Sequence, residues 1–160
     1  RVGKVSFQPN REKDNEMTNR LKDIIDEISK KLKNAGIKSI ILYPENYPNI
    51  GNRYPMAIIK ETRQDYVATS GMQYEYNMYL SIVIVSDRIN DRLMYMHDLQ
   101  AKIFNELFKD CTLNGKVANI NPIQVNFGDI LSSDINAYPG FTETNSFMEI
   151  NLQLLLYDER

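Results

Sequence analysis

No tryptophan occurs in this 160-residue chain, and histidine and cysteine occur once each, at His97 and Cys111. A single cysteine excludes an internal disulfide and suits a reducing compartment. A single histidine leaves no basis for a His-based metal site or an imidazole relay. The seven glycines form no GxGxxG or Walker arrangement, and Gly36, Gly51, Gly115 and Gly140 read as turns. No apolar run approaches the roughly 20 residues of a membrane helix. No signal-peptide pattern opens the chain, which starts at Arg1 as a trimmed product would. The expectation is a protein with no cofactor, no metal and no membrane partner.

Hydrophobic residues at 42% and charged residues at 25% describe an ordinary globular chain. Its length suits one domain, large enough to bury about two-thirds of its unfolded surface. Charge is divided unevenly along it. Residues 1–38 hold ten Lys and Arg against six Asp and Glu, a balance of +4, and the rest holds nine against fifteen, a balance of −6. An acidic body is a poor grip for nucleic-acid phosphates, which calls for basic residues gathered on one face.

Residues 1–14 read as an arm and 15–160 as a single domain. From about Asn15, Leu21, Ile25, Ile28 and Leu32 recur at helical spacing with Ile24 beside them. Lys30, Lys31 and Lys33 suit the negative end of that helix, and Gly36 supplies its stop. A strand over 38–43 ends at Pro44, and the proline-rich stretch 44–55 is a loop. A second strand spans about 56–62, with 63–71 as a turn. The third, Met72 to Val85, would reach roughly 45 Å at about 3.3 Å per residue. Its first half is tyrosine-rich and reads as an overhang; its second half is apolar on both faces, as at a sheet centre.

A second helix over about 90–109, capped by Asp87 or Asn90, has Leu93, Met96, Ile103 and Leu107 as its core stripe, with Leu99 and Phe104 flanking. After the Asn114-Gly115 turn, a strand over 116–126 contains Pro122, which points to an edge or a bulge. A long loop over 128–140 precedes a strictly alternating strand over 146–157. The fold class is α+β: a mostly antiparallel sheet with two helices packed on one face, in the order α-β-β-β-α-β-β.

Signs of catalysis are slight. His97 and Cys111 are fourteen positions apart, about 21 Å along a helix, and read as a surface histidine and a partly buried cysteine. Asp87 as the first position of a calcium loop would put Arg92 at the sixth and Asp98 at the twelfth, so the pattern fails. Tyrosine is the abundant residue: ten in all, five of them between Tyr54 and Tyr79. The plain account is that tyrosine suits a pleated, half-buried surface. The functional one is an interface, where it gives large contact area at low entropy cost. Residues alone lead to an α+β domain specialised for protein contact, not an enzyme.

The first helix ends in Ala35-Gly36-Ile37, a strand stops at Tyr43-Pro44, and the long strand leads into an amphipathic helix. The turn Cys111-Thr112-Leu113-Asn114-Gly115-Lys116-Val117 and a last strand closing on Leu154-Leu155-Leu156-Tyr157 complete the order. Over about residues 17–158 this arrangement resembles the tail terminator (tail-completion, or tail-to-head joining) proteins of long-tailed bacteriophages. The resemblance implies a virion protein, assembled in the host cytoplasm, that forms a ring, usually of six, on the finished tail tube. Such a ring stops tube polymerisation and presents a surface to the head-completion proteins. Its partners would be copies of itself, the tail tube protein and the neck proteins, with DNA passing through the lumen without specific binding. Tyr47, Tyr54, Tyr74, Tyr76, Tyr79, Ile130 and Tyr138 are the candidate interface residues. Beside this stand another neck component, a head-completion or stopper protein, and a small ligand-binding or regulatory α+β domain.

Overall fold

A computed structural model describes residues 19–43, 53–68, 73–128 and 145–159. The arm 1–14, Tyr47, Ile130, Tyr138 and the side chain of Tyr74 lie outside the described residues. The elements run α1 (19–34), β1 (Ser39–Leu42), β2 (Met56–Ala68), β3 (Gln73–Ser86), α2 (Arg92–Phe108), β4 (Asn119–Phe127) and β5 (Ser146–Glu159). That is the α-β-β-β-α-β-β order read from the sequence. The strands form one mixed sheet, β1-β2-β3-β5-β4. Only β1 and β2 are parallel; the other three pairings are antiparallel.

Both helices pack on the same face. Ile24, Ile28 and Leu32 of α1 and Met96, Leu99, Ile103 and Leu107 of α2 share one core with the even-numbered positions 76–84 of β3 and 148–156 of β5. Strand alternation puts those positions on one side. α1 stops as its sequence requires: Gly36 sits at φ +106°, and the Ile37 N–H reaches back to the Leu32 carbonyl at 3.1 Å. Glycine takes that left-handed conformation without a side-chain clash.

Several local expectations are corrected. Lys31 does not end at its own helix terminus. It is only 8% exposed, and its Nζ donates to the Glu106 carbonyl at 3.3 Å, serving the last turn of α2 instead. Leu93, on the stripe by spacing, is 63% exposed because it sits on the first turn of α2, before the helix meets the sheet; Leu99 takes the core place. Neither Asp87 nor Asn90 caps α2. Asp91 does, in a left-handed conformation (φ 54°) from which its side chain makes no capping bond. The turn expected over 63–71 is strand as far as Ala68, because β3 pairs with β2 as far as the Tyr74–Ala68 rung. Pairing along a ready-made neighbour outweighs the poor strand propensity of Arg63-Gln64-Asp65.

The largest correction concerns β3. It is the middle strand, flanked by β2 on one side and by β5 on the other as far as the Gln73–Glu159 rung. Its tyrosine-rich half therefore has no free edge, and both its ladders are filled within its own chain. The sheet is buried on both faces only at the opposite end, where Ile41, Met56, Ile58, Val83, Val85 and Phe147 form a second, smaller cluster with Tyr43 and Tyr54 packed against it.

Candidate assembly surface

On the face away from the helices, the distal part of the sheet is a polar surface. Cross-strand register brings Asn77 of β3, Asn151 and Gln153 of β5, and Asn119, Asn121, Gln124 and Asn126 of β4 to this side. Seven carboxamides thus share one face, each offering both donor and acceptor. Some bond to one another or to Glu149: Asn151 Nδ2 donates to Glu149 Oε1 at 2.9 Å, and Asn119 Nδ2 to Asn121 Oδ1 at 3.4 Å.

Two bulges shape this face. In β2 the register slips between Glu61 and Arg63, leaving Thr62 without a rung, and Thr62 Oγ1 donates to the Tyr79 carbonyl at 3.2 Å. In β4 it slips between Pro122 and Gln124, leaving Ile123. Pro122, expected to mark an edge or a bulge, marks both, since β4 is the outermost strand. The two slips lie level, joined across the sheet by the Leu80–Leu152 rung. A bulge bends its strand and strengthens the local twist. Between them lies an open groove of about 650 Å³ bordered by Arg63, Tyr79, Ile123, Gln124, Asn151 and Gln153. The extra residue in β2 also exchanges its faces, so that Tyr66 comes to the helix side and Arg63 to the open side.

Charge on this face is of both signs and partly engaged. Arg63 lies over the Tyr79 ring at 4.2 Å and pairs with Asp65 at 3.2 Å. Hydrogen bonding to Tyr79, then the Asp65 charge, raise its pKa further above an already high value. Lys60 stands over the Tyr43 ring at 5.1 Å. Against these two cations are Asp65, Glu75 and Glu149, so the described residues form no basic stripe here for nucleic-acid phosphates.

The nominated tyrosines part company. Tyr76 is 3% exposed, stacked on Tyr66 at 5.0 Å with the Arg20 guanidinium 5.8 Å away, and belongs to the core of its own chain. Tyr54 is half-buried against the second cluster. Tyr79 is half-buried on the open face and borders the groove. What sequence reading missed is the amide row. The alternation Asn119-x-Asn121 and Gln124-x-Asn126 was visible, but the bulge between its halves hides that they share a face.

The turn that delivers β4 is held by Asp110, which accepts from the Thr112 hydroxyl at 2.7 Å, the Thr112 N–H at 3.0 Å and the Asn114 N–H at 2.9 Å. These bonds, with a smaller contribution from the Lys31 charge, hold its carboxyl well below the usual range, at about 2. A folded value below the unfolded one stabilises the fold fully above about pH 4, and this contribution is lost as pH falls through about 2. Urea midpoints of the native protein should therefore fall on acidification from about pH 5, and those of Asp110→Asn should fall less. Equal slopes for the two would contradict this role.

The sites of possible chemistry stay apart. His97 is exposed with its ring 5.0 Å from Phe127. Cys111, expected to be partly buried, is exposed, with its Sγ donating to the Phe108 carbonyl at 3.6 Å. Among the described residues no three His, Cys, Asp or Glu side chains converge as a metal site, and no helix is long and apolar enough to cross a membrane. Comparison with protein-family models and with curated proteins finds no match to this chain.

Proposed function

We propose that this chain is a structural virion protein of the tail-terminator kind. It forms a ring that caps the phage tail tube, stops polymerisation and joins the tail to the head-completion proteins. The observation that carries this reading is the element order α-β-β-β-α-β-β, with both helices on one face and the other face left open in its distal half. The character of that open face supports it. A row of carboxamides with few charges suits contact with protein, and the lack of a basic stripe suits a lumen through which DNA slides without being held.

The test is assembly. Light scattering should show a ring, either in solution or when the chain is added to purified tail tubes, and added chain should halt tube growth. A protein that stays a single chain under both conditions would remove the proposal. Cys111→Ala and His97→Ala should cap tubes as the native chain does; loss of capping with an intact fold would argue for chemistry at those residues. A second reading, a small ligand-binding domain, draws on the groove beside Arg63 and Tyr79. Its volume falls within the usual range for ligand sites, though it is open and of mixed lining where such sites are commonly concave and apolar.

A further inference from the structure

Among the described residues, the sheet has two open edges on opposite sides. One is β4. The other is the distal half of β2, because β1 accompanies β2 only from Met56 to Ile59, and the Tyr43 N–H closes that ladder on the Ile59 carbonyl at 3.0 Å. From Glu61 to Ala68, no backbone group among the described residues pairs with the outer side of β2. Edge strands left to face water are commonly blunted with charge. The β2 half follows that rule in part, with the Arg63–Asp65 pair, yet Val67 is 51% exposed. β4 departs from it: none of its nine residues is charged, and Ile123 is 52% exposed. Pro122 and the bulge blunt the middle of β4, leaving Gln124–Phe127 as its continuous ladder.

Strand direction decides what fits. β2 to β3, β3 to β5 and β5 to β4 are all antiparallel steps, so β4 runs opposite to β2. A second copy in the same orientation, placed on the β1 side of the sheet, therefore presents its β4 antiparallel to β2. The faces agree as well, because Asn121, Gln124 and Asn126 arrive on the same side as Arg63 and Asp65.

Resting on the ring reading above, we propose that the distal half of β2, Glu61 to Ala68, takes β4 of a second copy of this chain as an added antiparallel strand. Backbone bonds then contribute affinity, and the alternate side chains contribute specificity. The contact joins two different edges, so it is head-to-tail and can propagate around a ring. Within its own sheet β4 lies level with Ala57 to Asp65 of β2. Because β1 occupies the start of that stretch, the incoming strand sits about four residues further along, roughly 13 Å. A closed ring absorbs such a stagger by inclining its strands to the ring axis.

Paired cysteines test this directly. In a Cys111→Ser background, Asp65→Cys is combined in one chain with Asn121→Cys, Gln124→Cys or Asn126→Cys. Neighbouring strands lie about 4.8 Å apart, within disulfide reach. Oxidation of at least one double variant should give a ladder of covalent multiples. Each single variant should stay a single chain, and complementary singles mixed should give dimers only. Cross-linking by one single variant alone would mean that like edges pair, which overturns the proposal. Assembly in light scattering without a ladder from any double variant overturns the edge pairing and leaves the ring reading standing. Failure to assemble, alone or on tail tubes, removes both. Val67→Lys gives a check without cysteines: about tenfold weaker association with an unchanged unfolding midpoint is expected, and unchanged association would count against the contact.

Discussion

Tyr76→Ala is expected to lower the unfolding free energy by about 3 kcal/mol, as for other large aromatic truncations in a core. Its ring is almost wholly buried within its own chain, stacked on Tyr66 at 5.0 Å and beside Arg20. Removal would leave a cavity where α1 meets the sheet. Tyr79→Ala, three residues along and on the opposite face, should cost about 1 kcal/mol or less, mainly its contact with Arg63. Urea unfolding followed by circular dichroism separates the two. If Tyr76→Ala kept native stability and lost only assembly, its side chain would be an interface anchor and not part of the core.

Val85→Asp is expected to prevent folding. Val85 is fully buried in the second cluster, with Met56, Ile58, Val83 and Phe147 around it, and an unpaired carboxylate there has no partner to offset its desolvation. Asn77→Asp places a carboxylate on the same strand and the same face, eight residues earlier. Its effect should stay within about 1 kcal/mol, mainly repulsion from Asp65 directly across the ladder, because that end of the face is only half-buried. Soluble expression and near-ultraviolet circular dichroism would read the contrast. Equal tolerance of both substitutions would mean that the second cluster is not a core.

The helices and strands were legible because their apolar periods are clean. Leu152, Leu154 and Leu156 alternate strictly and are fully buried. On α1 the stripe read as Leu21, Ile25, Ile28 and Leu32 is centred slightly to one side of the real one: Ile24, Ile28 and Leu32 are fully buried, and Leu21 and Ile25 only partly so. Gly36 ended α1 where its backbone freedom predicted. The distal part of β2 was not legible. Arg63-Gln64-Asp65 has the look of a turn, and only the presence of β3 alongside makes it strand. Tyr76 misled in another way: a tyrosine on a strand reads the same whether a neighbouring subunit or its own helix covers it. The amide row was hidden by a bulge: Pro122 pointed to an edge or a bulge, but nothing local says at which residue the register slips.

Apart from the distal half of β2, periodicity and turn chemistry determined which segments became helix or strand, their order, and the faces turned to the main core, since these follow from side-chain spacing along one segment at a time. Which strand stands in the middle, where the edges fall and what shares the open face were decided only in the tertiary structure. Those properties depend on the register between strands distant in sequence. A single unpaired residue, Thr62 or Ile123, is enough to turn one side of a strand into the other.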